Sequence, residues 1–135
     1  MLSMPKLLRR DERGQSVVEM ALVMFLLLLL VAGVADFGRA FNAYIVITNA
    51  SREGARYASH FPLDEDGIEQ AAIDEAADSG VTLSDIAIVA PNPVAGQPIR
   101  VTVTYQFPTI MSSIVGAPNL TLCGSTEMVI FGVVT

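Results

Sequence analysis

The hydrophobic pattern begins with one uninterrupted apolar run. Residues 20–35 read MALVMFLLLLLVAGVA and contain no charged or strongly polar side chain. With Val17, Val18 and Glu19 the run reaches 19 residues, which as a helix would span about 28 Å, close to the hydrocarbon thickness of a bilayer. A protein of 135 residues has too little structure to surround such a helix on every side. The run therefore predicts a transmembrane segment at about residues 17–35.

The helical pattern continues beyond this run. Between residues 36 and 59, apolar and small side chains recur at spacings of three or four, which is typical of a helix face. No proline interrupts the chain between Pro5 and Pro62. We therefore predict one helix over about residues 15–59, whose second half lies outside the membrane and must be covered by other structure.

Breaker residues end this helix and introduce a second, shorter one. His60, Phe61 and Pro62 end the long helix, and Asp66 and Glu69 have the capping-box spacing that would start a helix at Gly67. Gly80 is the expected residue just beyond its end. The predicted apolar face of this helix consists of Ile68, Ala72 and Ala76.

After Gly80 the hydrophobic period changes to two, which predicts strands. Residues 86–90 form a short strand, and residues 99–107 alternate most clearly between apolar and polar side chains. Pro108 ends that strand, and a loop through residues 116–118 leads to a third. The apolar face of the third strand consists of Leu120, Leu122, Met128 and Ile130. The fold class is therefore α+β, with a three-stranded antiparallel sheet.

The head over residues 60–135 is small for an independent domain. A unit of this size seldom buries enough apolar surface to be stable alone, so its apolar sheet face is expected to pack on the C-terminal half of the long helix. Its lone cysteine, Cys123, cannot form an intrachain disulfide. Two interpretations are open for it: a small buried or edge residue, or one half of an intermolecular disulfide.

Charge sets the expected orientation and excludes several functions. Four basic residues precede the apolar run within residues 1–14, and the chain beyond it becomes acidic, so the N-terminus is predicted to be cytoplasmic and the head exported. A net charge of −6 without a basic stripe excludes a general nucleic-acid binder. The sequence contains no phosphate loop, metal-ligand spacing or nucleophile motif, so we expect no enzyme activity, cofactor or metal site.

Several residues go beyond a plain membrane anchor. Glu19 places an acid inside the apolar helix, where a carboxylate is costly, which makes it a candidate functional residue. Arg52, Glu53 and Arg56 share a helix surface, either as solvated charges or as contacts to the acidic head of the same or a neighbouring subunit. The small residues at 32–35 leave open a signal-peptidase cleavage that would release a soluble chain starting at Asp36.

The N-terminal segment RGQSVVE at residues 13–19 resembles the processing site of type IV prepilins, in which a basic leader ends in glycine and a glutamate follows five residues later. Together with RGQSVVEMAL at 13–22, DFGRA at 36–40 and TNASREGARYA at 48–58, it resembles the TadE-like family of pseudopilins, or minor pilins, of the tight-adherence (Tad) pilus. The resemblance covers residues 13–58. Met20 stands where the major pilins usually carry an aromatic residue, which favours a minor pilin.

The resemblance implies cleavage after Gly14 by a prepilin peptidase, with Gln15 as the new N-terminus and Glu19 as a subunit-docking residue. The implied function is assembly or initiation of a Tad-type adhesive pilus. The implied partners are other pilins, the peptidase, an inner-membrane assembly platform and membrane lipid. The expected location is the bacterial inner membrane, with passage into the extracellular pilus after assembly. The alternative is a single-pass anchor that displays an extracytoplasmic binding domain and never enters a fibre.

Overall fold

The computed structural model describes residues 12–116 and 118–131. Most of the predicted leader, residues 1–11, therefore lies outside the described residues. The helices are α1 (Glu12–His60), α2 (Glu65–Ala76), which continues into a 3-10 turn (Ala77–Ser79), and α3 (Ile110–Val115). The strands are β1 (Asp85–Val89), β2 (Pro98–Phe107) and β3 (Leu120–Val129). The predicted α+β class is confirmed: a long N-terminal helix, a short helix and a three-stranded antiparallel sheet.

Helix α1 is a single element of 49 residues, about 73 Å long. It begins three residues before the predicted start, so Gly14 and Gln15 lie within it. It is long and apolar enough to cross a membrane, and its most apolar window has no residue buried inside the protein. The C-terminal half differs from this window, because its small side chains Ala50, Ala55 and Ala58 are fully buried.

The sheet has the order β1-β2-β3, with both pairs antiparallel. The strict alternation predicted for residues 99–107 is present: Ile99, Val101 and Val103 are fully buried, and Arg100 between them is exposed. The buried face packs on the C-terminal half of α1, and α2 also packs on α1. The core consists of Ile47, Ala50, Ala55, Ala58, Ile68, Ala72, Ala76, Ile99, Val101, Val103 and Ile130.

Glycine allows two close approaches to α1. A Cβ atom at Gly124 of β3 would lie 2.9 Å from the Ile47 carbonyl oxygen, and one at Gly54 would lie 3.2 Å from Val101 Cγ1. Both distances are shorter than ordinary van der Waals contact, so the sheet and α2 can approach α1 because these positions have no side chain.

Strand β3 runs alongside α1 in the same direction. Gly124 lies against Ile47 and Thr48, Thr126 and Ser51 share a hydrogen bond of 2.8 Å between their hydroxyl oxygens, and the Phe131 amide donates to the Ser59 carbonyl at 3.0 Å. The start of β3 therefore lies towards the apolar half of α1, and its end lies at the far end of the helix. Because β2 is antiparallel to β3, Phe107 also lies at the apolar end.

Two local predictions need correction. Helix α2 starts at Glu65 rather than Gly67, because its N-cap is Asp64: the Asp64 carboxylate accepts from the Gly67 amide at 3.2 Å and from the Tyr57 hydroxyl at 2.8 Å. The connection after Pro108 is not a plain loop but contains α3, capped by Thr109, whose Oγ1 accepts from the Ser112 amide at 3.0 Å.

Other local predictions are confirmed. Gly80 follows the 3-10 turn in the left-handed region with φ of 72°. The apolar face of α2, made of Ile68, Ala72 and Ala76, is buried.

Candidate functional site: the exposed helix and its junction with the head

Glu19 lies on a helix surface that the rest of the described chain leaves uncovered. Its neighbours Val18 and Met20 are 62% and 70% exposed, and large apolar side chains remain exposed along the helix as far as Ile45. In lipid, a carboxylate on such a surface is costly unless a cation or a donor pairs with it. The arrangement can therefore serve to select a partner that brings a positive group to this level of the helix.

Gly14 and Gln15 lie in the first turns of α1, and both are exposed. A Cβ atom at Gly14 would meet nothing within 4 Å. Glycine inside a helix costs roughly 0.5–1 kcal/mol relative to alanine, so the fold gives no packing reason for glycine at this position. A role outside the folded protein, such as recognition by a protease, would give one.

The apolar half of α1 ends at a polar junction with the head. Asp36 is 7% exposed, and its Oδ1 accepts from the Ile110 amide at 2.9 Å and from Arg39 Nη1 at 3.0 Å. The Arg39 guanidinium also lies over the Phe107 ring, 5.1 Å from its centroid. These contacts attach the start of α3 and the end of β2 to the first turn of α1 that follows the apolar run.

An apolar groove of about 410 Å³ lies beside this junction. On the helix side it is lined by Gly33, Phe37 and Ala40, and on the head side by Phe107, Pro118 and Leu120. The groove is open, and it joins the exposed apolar surface of α1 to the adjacent end of the head.

The charged residues at 52–56 interact within α1. Arg56 Nε donates to Glu53 Oε2 at 2.9 Å, and Arg56 Nη2 donates to Glu53 Oε1. The hydrogen bond to Arg56 lowers the pKa of Glu53, and the same bond raises the pKa of Arg56. Arg52 is exposed. The pair gives a local interaction, so contact of these residues with the head or a neighbouring subunit stays a prediction.

Tyr57 connects the end of α1 to the start of α2. Its hydroxyl donates to Asp64 Oδ2 at 2.8 Å, and this hydrogen bond raises the pKa of Tyr57.

Among the described residues there is no group of three or more histidine, cysteine or acidic side chains that could hold a metal ion. Cys123 is a free, exposed residue of the edge strand β3, so it is an edge residue rather than a buried one, and an intermolecular disulfide stays a prediction.

Sequence reasoning proposed Gly14 and Glu19 as site residues, which stay predictions, and it missed the contact that Asp36 makes with α3. The available signal was a charged residue immediately after the apolar run, which entered the prediction only as part of the DFGRA segment and as the possible start of a cleaved chain. Its partner, the Ile110 amide, lies 74 positions further along the chain. No local pattern connects two such residues, so the junction becomes visible only in the folded protein.

A protein-family model described as TadE-like protein matches residues 14–56. The match covers nearly all of α1 and includes Glu19, Asp36 and the Glu53–Arg56 pair, and it confirms the resemblance drawn from the sequence. No curated protein and no solved structure matches the chain. The match covers less than half of the chain.

Proposed function

We propose that this chain, whose residues 14–56 are TadE-like, is a minor pilin that takes part in assembly or initiation of a Tad-type adhesive pilus. The observation that carries the proposal is the apolar half of α1, which projects from the head with its side chains exposed and with Glu19 among them. Such a surface needs lipid around it before assembly and other helices around it in a fibre.

The first step is processing after Gly14 by a prepilin peptidase at the cytoplasmic face. The basic side chains before the apolar segment hold the N-terminus in the cytoplasm, and the head is exported. Because residues 1–14 carry four basic and two acidic side chains, their removal lowers the net side-chain charge from −6 to −8. Cleavage also creates a new positive group, the amine of Gln15, at the mouth of the apolar helix.

The second step is docking through Glu19. The carboxylate pairs with the N-terminal amine of a neighbouring subunit, which removes the cost of an unpaired charge in an apolar environment and fixes the axial register of the two helices. The mature subunit resides in the inner membrane until an assembly platform moves it into the pilus, and Arg52, Glu53 and Arg56 are available for contacts between subunits outside the bilayer.

The mass of the chain, recovered both from membranes and from the secreted soluble fraction, tests the processing step. We expect a mature chain that begins at Gln15. A chain that retains residues 1–14 would instead support a single-pass anchor that displays a binding domain outside the cytoplasm. A chain that begins at Asp36 would support a secreted soluble domain. Each outcome gives a distinct mass, so one measurement separates the three functions.

The Glu19→Ala substitution tests the docking step. We expect the variant to be processed and retained in the membrane but to be strongly depleted from sheared pili, because the carboxylate that pairs with the neighbouring amine is absent. Glu75→Ala is the control, since it removes an exposed carboxylate of the same type from α2. Normal incorporation of the Glu19→Ala variant into pili would contradict the docking role.

A further inference from the structure

The head has one end that lies level with the end of the predicted membrane segment. The Ile110 amide at the start of α3 bonds to the carboxylate of Asp36, the residue directly after the apolar run. Phe107 and Leu120, which end β2 and begin β3, line the groove beside Gly33 and Phe37. The connection between β2 and β3 is therefore the part of the head nearest to the bilayer.

This connection presents apolar side chains outward. Ile114 is 56% exposed, Ile110 38% and Leu120 51%, and Phe37 beside them on α1 is 75% exposed. These four residues form an apolar patch around the point where α1 leaves the membrane segment; we call it the junction patch. Two of them, Phe37 and Leu120, line the groove beside the exposed apolar surface of α1, and Ile110 is bonded through its amide to Asp36 of α1.

The charge distribution of the head points to the same surface. No acidic or basic residue occurs between Arg100 and Glu127, a stretch that contains the whole connection between β2 and β3. Most acidic residues of the head lie instead in α2 and its flanks, from Asp64 to Asp85. The end of the head nearest the bilayer is thus uncharged although the protein as a whole is acidic, and an uncharged apolar surface is not repelled by anionic headgroups.

We propose that the junction patch is a lipid-binding surface that seats the head directly on the outer leaflet of the bilayer. Interfacial helices bury their apolar face about 5–10 Å into the boundary between headgroups and acyl chains. Helix α3 begins at that level because Asp36 ties it to α1. The occupant is lipid rather than a second copy of the chain, because the patch continues the surface that already faces lipid in an isolated subunit. The inference rests on the transmembrane segment of the proposed function.

The chain contains no tryptophan, so a single introduced tryptophan reports on one position. The experiment uses the full chain, reconstituted at low density in phosphatidylcholine vesicles without bromine, with bromine atoms on the acyl chains near the headgroups, or, for Leu26→Trp, with bromine atoms near the chain ends. Ile114→Trp tests the patch. Phe131→Trp is the matched control, because Phe131 is 76% exposed and bonds to Ser59, about 35 Å along α1 from Asp36. Leu26→Trp tests the membrane segment itself.

We expect the I114W variant to show blue-shifted emission that loses most of its intensity in the brominated vesicles, while the F131W variant keeps water-like, unquenched emission. Unquenched emission from I114W together with quenched emission from L26W would overturn the lipid contact and leave the membrane segment intact. Unquenched emission from L26W would overturn both. Blue-shifted I114W emission that disappears on dilution of the protein in lipid would assign the patch to a second copy and overturn the proposal. Leu120→Trp repeats the test at a second exposed position.

Discussion

At Gly124 the backbone of β3 lies directly against the backbone of α1. The atoms that a Cβ would meet are the Ile47 carbonyl at 2.9 Å and 3.0 Å and the Thr48 amide nitrogen at 3.1 Å. Main-chain atoms inside a helix cannot move aside as the end of a flexible side chain can. This position therefore fixes how closely the sheet packs on the helix, although its only sequence signal is a glycine in an alternating strand.

Gly124→Ala is expected to lower the free energy of unfolding by about 1–3 kcal/mol, the usual cost of overpacking a well-packed contact. Denaturant unfolding of the full chain in detergent, followed by circular dichroism, measures the change. Gly38→Ala is the control, because a Cβ there meets nothing within 4 Å and alanine favours the helix. Equal unfolding midpoints for the two variants would contradict the close packing.

Tyr57 provides a pH-dependent contact at the other end of the core. Its pKa is raised by the hydrogen bond to Asp64, so folding favours the neutral phenol. The stability that this bond contributes is complete below the ordinary tyrosine pKa of about 10 and is lost as the pH rises through the raised value. The absorbance titration of the wild type minus that of Tyr57→Phe reports the ionisation of Tyr57. The midpoint of this difference curve should therefore lie at a pH above the ordinary tyrosine pKa. A difference that titrates at or below it would contradict the bond.

At the scale of elements, the sequence predicted the helices and strands that have a clear hydrophobic period, and it missed helix α3, which has none. Helix α1 and strand β2 carry long runs with helical or alternating spacing, so their bounds were predicted to within about three residues. Helix α3 is six residues long, and its stability comes from the Thr109 cap and from Asp36, a distant residue. The predicted start of α2 was wrong because Asp64 and Asp66 are both N-cap residue types, and in the structure the N-cap is Asp64, which accepts from the Gly67 amide and the Tyr57 hydroxyl.

Asp36→Ala should release α3 from α1. The substitution removes the acceptor of the Ile110 amide and of Arg39, and loss of such a buried acceptor costs about 1–3 kcal/mol. We expect faster hydrogen exchange at the Ile110 amide together with a lower unfolding midpoint.

Asp78→Ala controls for this change, because Asp78 is an exposed carboxylate in the 3-10 turn and its loss alters the net charge equally. Unchanged exchange at Ile110 in the Asp36→Ala variant would show that Asp36 does not hold α3 in place.

At the scale of the whole molecule, α1 belongs to two environments. Its N-terminal half exposes large apolar side chains, whereas its C-terminal half supplies Ile47, Ala50, Ala55 and Ala58 to the buried core. Gly14 and Glu19 could be proposed from the sequence because the resemblance implies a role for each, and those roles stay predictions. The junction at Asp36 could not, because it depends on the return of the chain to α1 through β2 and α3.

The division of α1 predicts how fragments of the chain behave. A fragment of residues 36–135 keeps Asp36 and every residue of the core, so it should fold and remain soluble without detergent. A fragment of residues 60–135 lacks the α1 residues on which the sheet and α2 pack, and the remaining unit buries too little apolar surface to offset its chain entropy. It should therefore show no cooperative unfolding and poorly dispersed amide resonances. A cooperatively folded 60–135 fragment would mean that the head is independent of α1 and that the helix serves it only as a stalk.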